Sequence, residues 1–224
     1  MTKKITQQIV AEFLGSMFLV MASISSMILF TNAFESSKYV AVLANAISVA
    51  FVLIALIEMF GDVSGAHFNP VVTIVMLLEK QIGCSKAILF ILFQIVGGIT
   101  GTALSHLMFF DQFDRLLAVS DNIRSDYVYF GEIVGTFILI LAILMLIKAK
   151  SKKISIIVGL LVGGQLLATS STMFANPQVT IARMLTNSVS GIRPIDGLIF
   201  IAMQLVGSLL AYVVYKLIFS KSIT

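Results

Sequence analysis

Charge is what this sequence has least of. Of its 224 residues only 12% are charged and 58% are hydrophobic, with a mean hydropathy of +1.04. A soluble domain carries about 25% charged residues, so an ordinary soluble globular protein is excluded. Cysteine is nearly absent too: the single Cys84 excludes a disulfide framework or a cysteine metal cluster and reads as a packing residue near a helix start. The two histidines, His67 and His106, stand far apart and form no ligand set, so no metal or other cofactor is expected. There is no nucleophile paired with a base and no phosphate-binding glycine loop, so an enzyme is not expected. The net charge of +4 does not signal nucleic acid, because the basic residues are not clustered among aromatics. They sit at the ends of apolar runs.

Those runs are what the sequence does have. A bilayer span needs about 20 apolar residues, and six stretches qualify, at roughly 5–30, 39–61, 83–107, 128–148, 153–171 and 194–219. The first is longer than a signal-peptide core and lacks an obvious cleavage site, so it reads as a span. Two shorter apolar segments, 69–80 and 176–187, reach only about half the hydrocarbon core at about 1.5 Å per residue. Both begin with Asn-Pro. The expectation is an all-α membrane protein of six transmembrane helices and two re-entrant half-helices in one channel domain, 1–224.

Lys3, Lys4, Lys80, Lys86, Lys148, Lys150, Lys152, Lys153, Lys216 and Lys221, ten of the 15 basic residues, fall on one side. Glu35, Asp111, Asp114, Asp121, Asp126 and Asp196 fall on the other, with few bases. The positive-inside rule then puts both termini in the cytoplasm, and the short tails suggest a bacterial inner membrane. The run 111–126 reads as a solvated extracellular loop.

The chain also repeats. AEFLGSMFLV (11–20) is echoed by GEIVGTFILI (131–140), HFNPVVTI (67–74) by FANPQVTIAR (174–183), and FQIVGG (93–98) by AMQLVGS (202–208). Each unit, about 5–107 and 128–219, holds three full spans, and an odd number forces opposite insertion. Inverted repeats with interrupted helices place a solute path at their pseudo-two-fold axis near the midplane.

Asn is a preferred N-cap and Pro fits the first helical position. Asn69-Pro70 and Asn176-Pro177 therefore start the two half-helices, whose free N–H groups and positive dipole ends meet mid-membrane. There the two Asn side chains can donate to a passing solute while the paired positive ends oppose cations and protons.

With SGAHFNPVVT (64–73) and NPQVT (176–180) on the page, the sequence resembles the aquaporin and glycerol-facilitator family, the major intrinsic proteins, over nearly its whole length. The resemblance implies one pore per subunit, a homotetramer, and passage of small neutral solutes. It implies that Glu12 and Glu132 brace the loop backbones, with Gln94 and Gln204 as polar positions on the third and sixth spans, and that His67 shapes the cytoplasmic half of the pore. Intramembrane acids are costly, which suits a bracing role.

The departures from the family bear on the substrate. The boxes end in Val71 and Gln178 where the family usually has alanine. The pore arginine expected three residues after the second Asn is Val179, and the aspartate that follows it in glycerol facilitators is Thr180. The other filter positions carry over by spacing to Val49, Gly164 and Met173. Such a set implies a wide, apolar constriction rather than a strict water filter. Arg183, four residues beyond Val179, shares its helix face one turn further out. Two roles fit it: a filter charge moved into the extracellular vestibule, or an interfacial arginine bonded to loop carbonyls. Glu58 matches no family feature; lining the pore and pairing with Lys38 or Arg183 both remain open.

The leading expectation is a passive channel for small uncharged solutes: water, glycerol, urea or neutral metalloid hydroxides such as undissociated arsenous acid. Some bacterial members with valine in place of the arginine resemble the VTIAR run, which favours a polyol or metalloid pore. The alternatives are a strict water channel, a proton-coupled secondary transporter using Glu58, and a closed homologue that does not conduct.

Overall fold

The computed structural model describes residues 3–113 and 115–219; Asp114 and Lys221, used above to orient the chain, lie outside the described residues. The order is α1 (Lys3–Ile28), α2 (Lys38–Ser64), α3 (Pro70–Leu78), α4 (Cys84–Met108), α5 (Tyr129–Lys148), α6 (Ile154–Ala168), α7 (Pro177–Arg183) and α8 (Pro194–Phe219). A π-helical turn, Leu29–Ala33, extends α1. The described residues contain no β-strand.

The fold is the expected all-helical membrane architecture, with two differences in length. Five of the helices are long and apolar enough to cross a bilayer. The sixth, α6, has 15 residues rather than the whole of 153–171: it stops where the chain turns into Thr169, Ser170, Ser171 and Thr172, whose hydroxyls compete with helical hydrogen bonding. The half-helices are also shorter than read, nine residues in α3 and seven in α7.

Local chemistry explains the breaks. Ser37 caps α2 by accepting from Val40 N. Gly65, at φ +97°, closes α2 in the left-handed conformation that glycine adopts without a Cβ penalty, and the chain turns back into the bundle. Asn69 and Asn176 cap α3 and α7, each with Pro at the first helical position.

The long helices pack in pairs, α1 on α4 and α5 on α8, with α2 against α6. Glycines let these pairs approach closely, as small residues do between membrane helices. A Cβ on Gly97 of α4 would stand 2.4 Å from Phe13 O of α1, and one on Gly207 of α8 would stand 2.5 Å from Ile133 O of α5. The outward faces carry exposed Phe51, Leu160 and Val213, an apolar coat suited to lipid. Glu58 sits on this outer surface and accepts a hydrogen bond from Ser155 Oγ of α6. It neither lines the central cavity nor pairs with Lys38 or Arg183.

The segment 111–126 is more than a solvated loop. Ala118 N and Ser120 N donate to Leu185 O and Met184 O at 3.0 and 2.8 Å, and Arg193 N donates to Asn122 O at 2.7 Å. The loop is thereby laid over the end of α7, with Ser120 buried.

Candidate functional site

Two buried carboxylates hold the two loops. Glu12 of α1 accepts from His67 N (3.0 Å) and Phe68 N (2.8 Å), and also from Ser64 Oγ (2.6 Å) and Gln94 Nε2 (2.7 Å). Glu132 of α5 accepts from Phe174 N (2.9 Å), Ala175 N (2.8 Å) and Gln204 Nε2 (2.6 Å). Both glutamates are completely buried. Such burial is costly for a carboxylate unless its lone pairs are filled, and here they are filled by the loop N–H groups that would otherwise be orphans. Gln94 and Gln204 each donate a second time, to Thr73 Oγ1 and Thr180 Oγ1, both at 2.9 Å.

These bonds hold backbone that would not stay in place alone. Ala66, Phe68, Thr172, Met173 and Ala175 all have positive φ, a conformation that costs a non-glycine residue of order 1–3 kcal/mol and persists only where surroundings impose it. The hydroxyls help: Ala66 N donates to Ser64 Oγ at 3.0 Å, and Met173 N to Ser171 Oγ at 3.2 Å.

The loops then lock to each other. Asn69 Nδ2 donates to Ala175 O at 2.8 Å, and Asn176 Nδ2 donates to Phe68 O at 2.9 Å. Their Oδ1 atoms accept from Val71 N and Gln178 N at the helix starts. An amide nitrogen has two N–H bonds, so each Asn keeps one beyond this cross-link.

A cavity of about 310 Å³ runs past this junction. It extends from Gln81, Ile147 and Ile154 at one end to Ser23 and Arg183 at the other, and both Asn69 and Asn176 line it. Val49, Met173 and Val179 line it as well. His67 lines it from the first loop, with Nδ1 3.1 Å from Thr73 Oγ1.

One expected filter residue lies elsewhere, and the two residues that end the Asn-Pro boxes do not line the cavity. Gly164 is on the outer face of α6, where an added Cβ would meet nothing within 4 Å. The wall on this helix is Val162 and Leu166 instead, because α6 ends early and the connection to Asn176 lengthens, which shifts the count from the box. Val71 is fully buried against Ile140 and Tyr215, behind the path. Gln178 is also fully buried; its Nε2 donates to Phe68 O at 3.2 Å, and its side chain fills the space over Gly98.

Arg183 is 3% exposed. Its Nη2 donates to Ser23 Oγ, and its Cζ lies 4.2 Å from the centroid of the Phe174 ring. Among the described residues it is therefore anchored by a side chain and an aromatic face, not by loop carbonyls. Arg124, brought in by the 111–126 loop, stacks on the same ring at 5.4 Å, and burial lowers its guanidinium from the ordinary arginine range. Sequence reasoning missed Ser23, Leu166, Phe174 and Arg124. Phe174 was within reach, since it occupies the place in the second loop that His67 holds in the first; Arg124 carried no local signal.

Comparison with known proteins agrees with this geometry. The family described as Major intrinsic protein matches residues 1–175. The chain is 36% identical over 208 residues to "Aquaglyceroporin AqpS" of Rhizobium meliloti (strain 1021), covering 92% of this chain and 88% of that protein. It is 34% identical over 141 residues to "Aquaporin-1" of Mus musculus, covering 61% of this chain and 52% of that one. In fold it is similar to the aquaglyceroporin from Plasmodium falciparum, at a TM-score of 0.68 and 19% identity over 98% of this chain and 97% of the other.

Proposed function

The chain belongs to the major intrinsic protein family, whose members are channels rather than enzymes, and from that footing we propose a passive channel for neutral solutes larger than water. That it is a membrane channel for water and small solutes follows from the family. The finer reading, glycerol-like polyols or neutral metalloid hydroxides such as arsenous acid, rests on one observation: Val49, Leu166, Met173 and Val179 give the cavity an apolar wall, with valine where a filter arginine would stand. The similarity to a protein named an aquaglyceroporin supports the same reading.

Asn69 and Asn176 each offer their remaining N–H to a solute hydroxyl, and loop carbonyls accept from it. The wall then limits size without demanding further polarity. Exchange of solute–water for solute–channel hydrogen bonds keeps the barrier low, and the gradient alone drives flow. Among the described residues, the titratable side chains on the cavity are His67 and Arg183, so the proton-coupled reading loses Glu58 as its coupling acid. In the orientation favoured by the lysines, Gln81 faces the cytoplasm with both termini and Arg183 faces outward. We place the protein in the inner membrane of a bacterium as a homotetramer, one path per subunit.

Stopped-flow light scattering on proteoliposomes tests this. Glycerol and undissociated arsenous acid should pass, and Val179→Arg should cut their rates about tenfold or more while sparing water, since a guanidinium fills the apolar space and demands desolvation, and each 1.4 kcal/mol of barrier is tenfold. Rapid water flux with no passage of the larger solutes in the native protein would overturn the substrate class.

A further inference from the structure

A second cavity, of about 360 Å³, adjoins the first at Arg183, which lines both. Lys38, Arg124 and Arg183 contribute three cations to its wall, and the described residues lining it include no carboxylate. Asn45, Asn122 and Ser190 add polar groups.

Two buried acids offset part of this charge, Glu132 acting on both arginines and Asp196 on Arg124, but both spend their hydrogen-bonding capacity elsewhere. Glu132 receives the Phe174 and Ala175 N–H groups and Gln204. Asp196 receives Arg193 Nη2 (2.8 Å) and Tyr129 Oη (3.1 Å) on one oxygen and the backbone N of Arg124 (2.8 Å) on the other. No ion pair to the guanidinium of Arg124 or Arg183 occurs among the described residues. Arg183 Nε, buried, has no hydrogen-bond partner. Asn45 is 3% exposed; its Oδ1 accepts from Ser26 Oγ at 3.2 Å, and its Nδ2 makes no hydrogen bond within the described residues.

Two guanidiniums held against one phenyl ring, with an unused amide donor on the same cavity, form a set of donors with surplus positive charge. Arginine forks match the paired oxygens of an oxyanion, and a desolvated cationic recess draws anions in. We propose that this cavity binds a small oxyanion, of the phosphate or carboxylate type, and that an occupant there obstructs the Arg183 end of the conducting path. The binding stands apart from the channel reading; only the obstruction rests on it.

The probe is inorganic phosphate, titrated calorimetrically into the full chain in nanodiscs of neutral phosphatidylcholine. Saturable binding at one site per chain is expected. Arg124→Gln should weaken it about tenfold or more, the scale of a lost charge-assisted hydrogen bond, and Arg124→Lys should recover part of the loss. Asn45→Ala should weaken it independently, which keeps the test open if an arginine variant fails to fold. Lys152→Gln removes one charge from an exposed lysine of the α5–α6 turn and should change nothing. Equal weakening by Lys152→Gln and Arg124→Gln would mean diffuse charge attraction and overturn the site, as would no saturable binding to the native chain. Loss of phosphate binding in nanodiscs of anionic phosphatidylglycerol identifies the occupant as a headgroup phosphate, whereas unchanged binding identifies a free anion. For obstruction, phosphate on the Arg183 side of proteoliposomes should slow glycerol flux saturably, and Arg124→Gln should abolish that inhibition; flux indifferent to phosphate, with binding intact, overturns the obstruction without touching the channel reading.

Discussion

The two re-entrant loops share a backbone and differ in side chains. In both, a serine hydroxyl (Ser64, Ser171) accepts from the residue two positions on, and a carboxylate (Glu12, Glu132) accepts the next two N–H groups. In both, an asparagine crosses to the other loop's carbonyl. The differences begin where that scaffold is complete. His67 stands in the first loop and Phe174 in the second, Val71 is packed apolar where Gln178 reaches across to Phe68 O, and only the second half-helix ends in a buried arginine. The shared set fixes where two chain segments meet inside lipid, a task with one solution because every backbone N–H there must find a partner. The unshared set decides what the meeting point admits.

The largest effect should come from attacking the shared part. Glu132→Ala leaves two buried loop N–H groups unpaired, at about 1–3 kcal/mol each, and releases the positive-φ residues they restrain. Glu12→Ala does the same and also frees Ser64 Oγ, which has no counterpart bond in the second loop. Thermal unfolding in detergent should show both variants strongly destabilised and Glu12→Ala the more so. Equal losses would mean that the serine bond adds nothing, and a stable Glu132→Ala variant would break the claim that the carboxylates hold the loops.

The scaffold was legible in the sequence and part of the wall was not, for a physical reason. Glu12, Glu132, Asn69 and Asn176 announce themselves because polar groups in apolar runs must be satisfied, and their repetition fixes the pairing. Met173 and Val179 were found because they stand within three residues of Asn176 on short, braced backbone, and Val49 because α2 runs unbroken to Ser64 and only the braced turn 65–68 separates it from Asn69. Gly164 was misplaced because its distance runs through a helix end and a loop, where one extra residue rotates every later side chain by about 100°. Val71 and Gln178 end the boxes without lining the path, because successive residues on a helix point to different faces. Arg124 lies in a loop with no periodicity, and tertiary hydrogen bonds that join Ala118, Ser120 and Asn122 to the 184–193 segment, and Arg124 N to Asp196, bring it to Phe174.

Of intermediate size is the effect of the glycine opposite Gln178. A Cβ on Gly98 would stand 2.2 Å from Gln178 Oε1 and 3.2 Å from Gln178 O, so Gly98→Ala forces the amide off Phe68 O. A cost of about 1–3 kcal/mol is expected for such overpacking. Because the near clash is with a side-chain atom, Gln178→Ala should recover most of it, and the double-mutant cycle should give a coupling of about 1 kcal/mol or more. The equivalent of Gly98 in the second repeat is Ser208, and that of Gln178 is Val71. The glycine and the glutamine are thus one paired departure from symmetry, and additive losses in the cycle would show that they are two.

The smallest effect should come from making the loops more alike. His67→Phe copies the second loop's aromatic into the first and removes the contact of Nδ1 with Thr73 Oγ1 at 3.1 Å. Thr73 Oγ1 still accepts from Gln94 Nε2 and donates to Asn69 O, so no buried group is orphaned and the cost should be only about 1 kcal/mol. The ring keeps its edge contact with Phe90, now at 5.5 Å between centroids. If His67 only shapes the cavity, the ratio of glycerol to water flux in proteoliposomes will be the same in the variant as in the native chain. A selective fall in glycerol flux would instead make the imidazole a hydrogen-bonding station for the solute, and the apolar wall would no longer be the whole account of what this channel admits.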